Sequence, residues 1–157
     1  VRLTSHTDYS LRVLIYLALN GDRRSNVSEI AARFRVSRNH LVKVIHGLSR
    51  GGFLQSYRGK GGGIVLAHAP KQINIGRVVR YTEGPMQLVE CFRSGNRCVI
   101  TGSCVLAGVL GEASDSFLGV LDRFTLADLV AERAGLVRLL KIKPAKPTHA
   151  ITPRAVN

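Results

Sequence analysis

Between Asn26 and Gly52 the chain is punctuated so closely that it has room for only two short helices. Asn26 stands three residues before Glu29, a spacing in which the Asn side chain caps a helix start while Glu29 reaches back; the helix then runs to Phe34. Arg35 and Val36 form a brief turn. Ser37 offers a second N-cap, and Leu41, Val42, Val44, Ile45 and Leu48 supply the buried side of another helix that stops at Gly51 and Gly52. Two short helices joined by such a turn make either a plain helical hairpin or a helix-turn-helix that docks on DNA. Ser37, Arg38, Asn39, His40 and Lys43 occupy the first turn of the second helix and its next exposed step, where they suit base edges and phosphates.

The residues that follow favour the DNA reading. Phe53 to Tyr57 and Ile64 to Leu66 are short β-like runs around Arg58-Gly59-Lys60-Gly61-Gly62-Gly63, the pattern of a hairpin wing with a basic tip. The glycines do not make a nucleotide loop, because no helix opening with Lys-Ser/Thr follows them. Arg58 and Lys60 are placed to track phosphates or the adjacent minor groove.

Charge is distributed in the same sense. The 157 residues carry a formal net charge of +13. Residues 1–80 hold fourteen Lys or Arg against three acids, a net of +11, whereas residues 81–157 hold nine against seven, a net of +2. A basic first half makes a polyanion its natural partner, since neutralised phosphates release counterions. At 45% hydrophobic and 21% charged residues, the chain also has the means to build a core. No run of about 18 apolar residues is present, and a cytoplasmic location without membrane contact is expected.

Around this basic unit the periodicity predicts further helices. Leu11, Leu14, Ile15 and Ala18 fall on one face of a helix over Thr7 to Asn20, and residues 73–83 form a short helix broken by Gly84-Pro85. Leu106, Val109, Leu110, Ala113, Phe117, Leu121 and Phe124 recur every three or four residues, a stripe suited to pairing with a second helix. A helix covering the protein's own core would show the same stripe. Dimerisation is preferred because it matches operator symmetry. Thr125 with Asp128 restarts a short terminal helix, and the basic, proline-containing stretch 141–157 is expected to be disordered.

All three cysteines lie in the second half. Cys91, Cys98 and Cys104 are seven and six residues apart, with Gly95, Asn96 and Gly102 between them, so the chain can loop and gather the sulfurs. Cys104 opens the long helix, where the dipole favours a thiolate, and Arg93 and Arg97 add positive charge. Such thiolates suit an iron-sulfur cluster. A structural zinc site, a thiol-disulfide switch and unliganded core cysteines compete with that reading, although zinc sites commonly use closer cysteine pairs, a switch leaves one cysteine without a role, and Cys98 sits in a polar, loop-like stretch rather than an apolar run. With three sulfurs, a four-ligand site needs another donor, and Asp8, His6, Glu83 and Glu90, or an exogenous ligand such as water or a small thiol, are candidates. No nucleophile–base pair, paired acids or nucleotide fingerprint points to an enzyme.

Several of these segments together resemble a known family. Leu3-Thr4-Ser5, Thr7-Asp8-Tyr9, Leu14-Ile15-Tyr16, Val36-Ser37-Arg38-Asn39-His40, Arg58-Gly59-Lys60 with Gly62-Gly63, the cysteine triad, and Thr125-Leu126-Ala127-Asp128-Leu129-Val130 are similar to the nitric-oxide-sensitive NsrR branch of the IscR-type winged-helix regulators. The likeness spans roughly residues 2–140. It implies a homodimeric repressor that binds palindromic double-stranded DNA operators and carries a 2Fe-2S or 4Fe-4S cluster. Nitric oxide attack on the cluster would then release genes of nitric oxide detoxification. The family's cluster cysteines carry over onto Cys91, Cys98 and Cys104. An aspartate that completes coordination in some members corresponds to Asp8, while the position of the IscR-like histidine ligand is Ala107, which binds no metal. A family regulator answering a different signal, and a zinc-stabilised DNA-binding protein that senses nothing, are the alternatives. The expected fold is mainly α: a winged helix-turn-helix (1–83), a cysteine-containing cluster loop (84–105), a dimerisation helix with a short terminal helix (106–140), and the basic tail (141–157).

Overall fold

Helix α1 (Ser5–Asn20) is enclosed from several sides, and the other elements are arranged around it. The computed structural model describes residues 2–142, so the basic tail from residue 143 onward lies outside the described residues. Thr4 caps α1 by accepting from the Thr7 amide, and Gly21 ends it at φ 63°. Periodicity predicts one buried face through Leu11, Leu14, Ile15 and Ala18. Instead Val13, Leu14, Tyr16, Leu17 and Leu19 are all buried, while Leu11 and Ile15 are only partly so. A helix packed by neighbours on several sides keeps no single apolar stripe.

Helix α2 (Val27–Phe34) begins as expected, with the Asn26 side chain accepting from the Glu29 amide at 2.7 Å. The reciprocal bond does not form. Glu29 instead accepts from the buried Tyr16 hydroxyl at 2.7 Å and from Arg23, tying α2 to α1 and to the loop between them. Burial raises the Glu29 pKa, but the Tyr16 and Arg23 donors outweigh it and leave the carboxyl below its ordinary value. Burial, and then the bond to Glu29, pushes Tyr16 up to about 12.

The turn is made by Arg35 in the left-handed region (φ 54°, ψ 42°), whose amide donates to Ala31. Helix α3 (Arg38–Arg50) follows, and Ser37 makes no side-chain capping bond at its start. Leu41, Val44, Ile45 and Leu48 are buried as predicted. Val42 is 42% exposed, because it falls beside Asn39 and Lys43 on the outer face.

Strands β1 (Leu54–Tyr57) and β2 (Gly63–Leu66) pair antiparallel, in register from Leu54 opposite Leu66 to Tyr57 opposite Gly63. The loop from α1 to α2 adds a short third edge: Ser25 and Ile64 exchange two backbone hydrogen bonds, at 3.1 and 2.8 Å. Helix α4 (Ile75–Glu83) is capped by Asn74 and stops at Gly84, and its Glu83 returns to the Thr4 amide at 2.7 Å.

Helix α5 (Val105–Asp122) starts at Cys104 and ends in a clasp on α4. Arg80 donates twice to the Asp122 carboxylate, both at 2.6 Å, and Asn74 Nδ2 donates to the Asp122 carbonyl at 2.7 Å. Ile75 then donates to the Phe124 carbonyl and Leu126 to the Ile73 carbonyl. A Cβ at Gly76 would overlap the Asp122 carboxylate and push it off Arg80, so glycine here leaves room for the clasp. Helix α6 (Leu126–Leu129) starts at the expected Thr125–Asp128 pair, with the Asp128 carboxylate accepting from both the amide and the hydroxyl of Thr125 at 2.7 Å. Leu126 is 0% exposed, within the same core as Leu17 and Val78. Helix α7 (Arg133–Leu139) was not foreseen, and beyond it Ile142 also packs into the core. None of the helices among the described residues is long and apolar enough to cross a membrane.

Candidate nucleic-acid interface and cysteine segment

The outer surface of α3 presents the residues singled out from sequence. Ser37, Arg38, Asn39, His40 and Lys43 are all exposed, whereas the opposite face of the helix is anchored in the core. Arg38 is steadied by its Nε donating to Ser28 Oγ on α2 at 3.2 Å. The His40 ring lies nearly parallel to Tyr9 of α1, 6.4 Å between centroids and 28° between planes. Arg12 stands over the Tyr9 ring as well, its guanidinium carbon 5.8 Å from the ring centre. Tyr9 was therefore missed as a neighbour of the exposed helix; only its place beside Asp8 hinted at it.

At the wing, Arg58 and Lys60 are both exposed on the turn between β1 and β2. Gly59 and Gly61 take φ of 83° and 79°, the region that favours glycine. The turn closes through the Gly62 amide donating to the Gly59 carbonyl at 2.9 Å. Helix α3 and the wing thus offer cations on two separate elements of one rigid head, an arrangement suited to a groove and its flanking phosphates.

The cysteines lie apart from this surface in sequence. Cys91 sits in a short 3₁₀ turn (Glu90–Phe92), Cys98 in the following loop, and Cys104 at the N-cap of α5. All three are free thiols and partly buried. Among the described residues, the hydrogen bonds of residues 89–103 stay within that stretch: Asn96 Oδ1 accepts from the Cys98 amide at 3.2 Å and from the Thr101 hydroxyl at 2.9 Å, and Glu90 accepts from the Arg97 amide. Val99 and Ile100 stand out into solvent, 98% and 59% exposed.

The structure does not bring the predicted ligands into one group within a single chain. Among the described residues, no three or more of His, Cys, Asp and Glu are gathered as a cation site. Asp8 is about half exposed and pairs with Arg12 one turn along its own helix, at 2.8 Å. Glu83 is occupied by Thr4, and the His6 ring lies over Gly47 of α3. The donor chemistry nonetheless suits a soft metal centre: three uncrosslinked thiols, and an accessible carboxylate on α1.

Along α5, Val105, Leu106, Val109 and Val120 are exposed, and its sole fully buried residue is Ser114. Leu118 and Leu121 pack on the core, so one face of the C-terminal part of the helix is covered while Val105, Leu106 and Val109 near Cys104 are not.

The comparisons with known proteins agree with this arrangement. A family model described as Rrf2, iron-dependent transcriptional regulator, matches residues 3–132. A Bacillus subtilis protein named HTH-type transcriptional regulator NsrR is 48% identical over 145 residues, covering 91% of this chain and 99% of its own. Its namesake in Halalkalibacterium halodurans is 47% identical over 146 residues, covering 92% and 100%. Among solved structures, IscR from T. potens superposes with a TM-score of 0.69 at 26% identity, covering 87% of this chain and 90% of its own. CymR, described as the global cysteine regulator of B. subtilis, superposes with a TM-score of 0.66 at 27% identity, covering 84% and 98%. These relatives are regulators, in line with the lack of a catalytic constellation in the sequence.

Proposed function

Because this chain belongs to the Rrf2 family of transcriptional regulators, we propose that it is a homodimeric repressor of palindromic operators, sensing nitric oxide through an iron-sulfur cluster. The observation that carries this reading is the path of α5. Its first turn adjoins Cys104, and its last is clasped onto α4 of the basic head.

Ser37, Arg38, Asn39, His40 and Lys43 would meet base edges and phosphates in the major groove, and Arg58 and Lys60 the flanking backbone or minor groove. The exposed apolar residues near the start of α5 would pair with a second copy, setting two heads at the spacing of a palindrome. Residues 1–83 would then supply DNA contact, 84–105 the sensor and 106–140 the dimer contact.

Cys91, Cys98 and Cys104 would hold the cluster as thiolates, with Asp8, exposed on α1, as the fourth ligand from the partner subunit. When bound, the cluster supplies a centre that reacts with nitric oxide. Among the described residues, 89–103 have no hydrogen bonds of their own to the head, so the three thiolate anchors would determine their order. A change of order there reaches α5 directly at Cys104 and the head through the clasp on Asp122.

The test is absorption spectroscopy of anaerobically purified protein, with iron and sulfide assayed per chain, before and after nitric oxide. Coloured protein with stoichiometric iron and sulfide, losing its spectrum and its DNA affinity on nitrosylation, is the expected result. Colourless protein with stoichiometric zinc, or no metal after anaerobic reconstitution, refutes the sensor and leaves a winged-helix DNA binder.

A further inference from the structure

The wing tip contains four glycines among Gly59 to Gly63, interrupted only by Lys60. Such a sequence has little shape of its own, since glycine populates both signs of φ and loses the most freedom on ordering. Arg58 and Lys60 meet DNA at a lower entropic cost when the turn already holds one orientation relative to α3. The restraint comes from outside the hairpin, from the loop between α1 and α2.

Arg24 of that loop places its guanidinium 4.2 Å from the centre of the Tyr57 ring and donates from Nη1 to the Gly61 carbonyl at 2.8 Å. The wing therefore engages both the centre of the guanidinium and one of its N–H donors. The backbone beside it is equally close: a Cβ at Gly63 would stand 2.9 Å from Arg24 Cβ and 3.0 Å from the Ser25 carbonyl. Ser25 in turn is bonded to Ile64 and to Asn20 Nδ2, the latter at 2.6 Å. A continuous connection thus runs from the end of α1, through Arg24, to the tip of the wing.

We propose that Arg24 is the positioning residue of the wing, gripping Tyr57 and Gly61 so that Arg58 and Lys60 stand at a defined angle to α3. The proposal rests on the reading of α3 and the wing as the DNA-contacting surface. Arg24 belongs to the basic half of the chain, but its role is to shape the tip rather than to neutralise a phosphate. Lysine cannot substitute, because an ammonium has neither the planar face nor the fork of the guanidinium. Arg24 and Tyr57 are both exposed, so their removal leaves no buried cavity and the head stays folded.

The experiment is a double-mutant cycle on the full chain, using a duplex that the wild-type chain selects from a random library. Arg24→Ala is expected to weaken binding about tenfold, the size of one exposed cation–π contact plus one hydrogen bond, with the salt slope unchanged. Arg24→Lys should be as weak as Arg24→Ala, whereas Tyr57→Phe, which keeps the ring, should bind nearly as wild type. In an Arg58→Ala/Lys60→Ala background, Arg24→Ala should have less than about twofold further effect, because nothing remains at the tip to position. Additive losses, a slope shallower by about one charge, and full affinity in Arg24→Lys would overturn the proposal and make Arg24 a phosphate contact. Wild-type affinity in Arg58→Ala/Lys60→Ala would overturn the DNA-contacting wing itself, and the positioning role with it. As a readout independent of DNA, the amide resonances of Gly59 to Gly63 should broaden or shift together in Arg24→Ala; unchanged resonances count against the grip.

Discussion

Leu126→Ala tests whether the C-terminal segment is a structural part of the DNA-binding head. Leu126 follows the long helix by only a few residues, yet it is 0% exposed and sits in the core built by α1 and α4. Its amide also donates to the Ile73 carbonyl at 2.8 Å, which fixes the backbone and limits how far the site can collapse around a smaller side chain. Leucine-to-alanine changes at such sites cost about 2–5 kcal/mol, the upper values belonging to rigid surroundings, so about 3 kcal/mol is expected here. For a unit of this size that loss lowers the midpoint of thermal unfolding by roughly 10 °C. Urea denaturation of reduced protein, followed by circular dichroism at one fixed chain concentration, measures it. Leu139→Ala, at a position 76% exposed, serves as the control and should change stability by less than about 0.5 kcal/mol. A loss below about 1 kcal/mol for Leu126→Ala, with an unchanged urea slope, would refute the reasoning and make the segment after α5 an appendage.

The remaining predictions concern the same head. Asn39→Ala should lose about 1–3 kcal/mol of preference for the selected duplex over random DNA, whereas Arg58→Ala should weaken both and flatten the salt slope; equal losses on both duplexes for Asn39→Ala would remove its reading role. Glu29 lies below its ordinary value of 4.5, so its contribution is present above that pH and is lost as pH falls through the lower folded value. Stability curves of wild type and Glu29→Gln should therefore converge in acid, and a constant gap down to pH 3 would contradict this. Tyr16 is raised from 10.0 to about 12, so the folded state keeps its proton where the unfolded chain releases it. Wild type should lose stability from pH 10 to 12 more steeply than Tyr16→Phe. Arg35→Gly, at the left-handed turn before α3, should raise stability by about 0.5 kcal/mol, measured by urea unfolding, because glycine adopts that conformation without Cβ strain.

Local signals were legible in the sequence wherever one residue decides the outcome. Asn26 at the start of α2, Gly84 at the end of α4, the Thr125–Asp128 cap and the glycine-rich hairpin turn all lie where the sequence places them. Readings failed where tertiary partners outbid local ones. Glu29 gives up the capping box for Tyr16 and Arg23, which lie 13 and 6 residues away. The single stripe expected on α1 disappears because neighbours surround it. Exposure of the DNA-facing candidates was legible, since their periodicity is opposite to that of Leu41, Val44 and Leu48. The supports behind them were not: Tyr9 against His40 and Arg24 against Tyr57 join residues 31 and 33 positions apart, and no spacing rule links them.

Charge and thiols are separated along the sequence, yet the fold gives them a mechanical connection that does not depend on their meeting in space. The exposed start of α5 carries Cys104, its end is bonded to Arg80 and Asn74, and two residues after Phe124 the chain plunges into the head core at Leu126. A helix fixed at one end to a rigid core moves as a lever about that end. The part of α5 ahead of the buried Ser114, residues 105–113 at about 1.5 Å each, makes that lever roughly 14 Å long. A rotation where α5 leaves the core is therefore enlarged at Cys104. Conversely, constraints on the cysteine end restrict the angle of each head most strongly. In the proposed dimer paired through α5, that angle would set the separation of the two α3 helices, the quantity a palindromic site would measure.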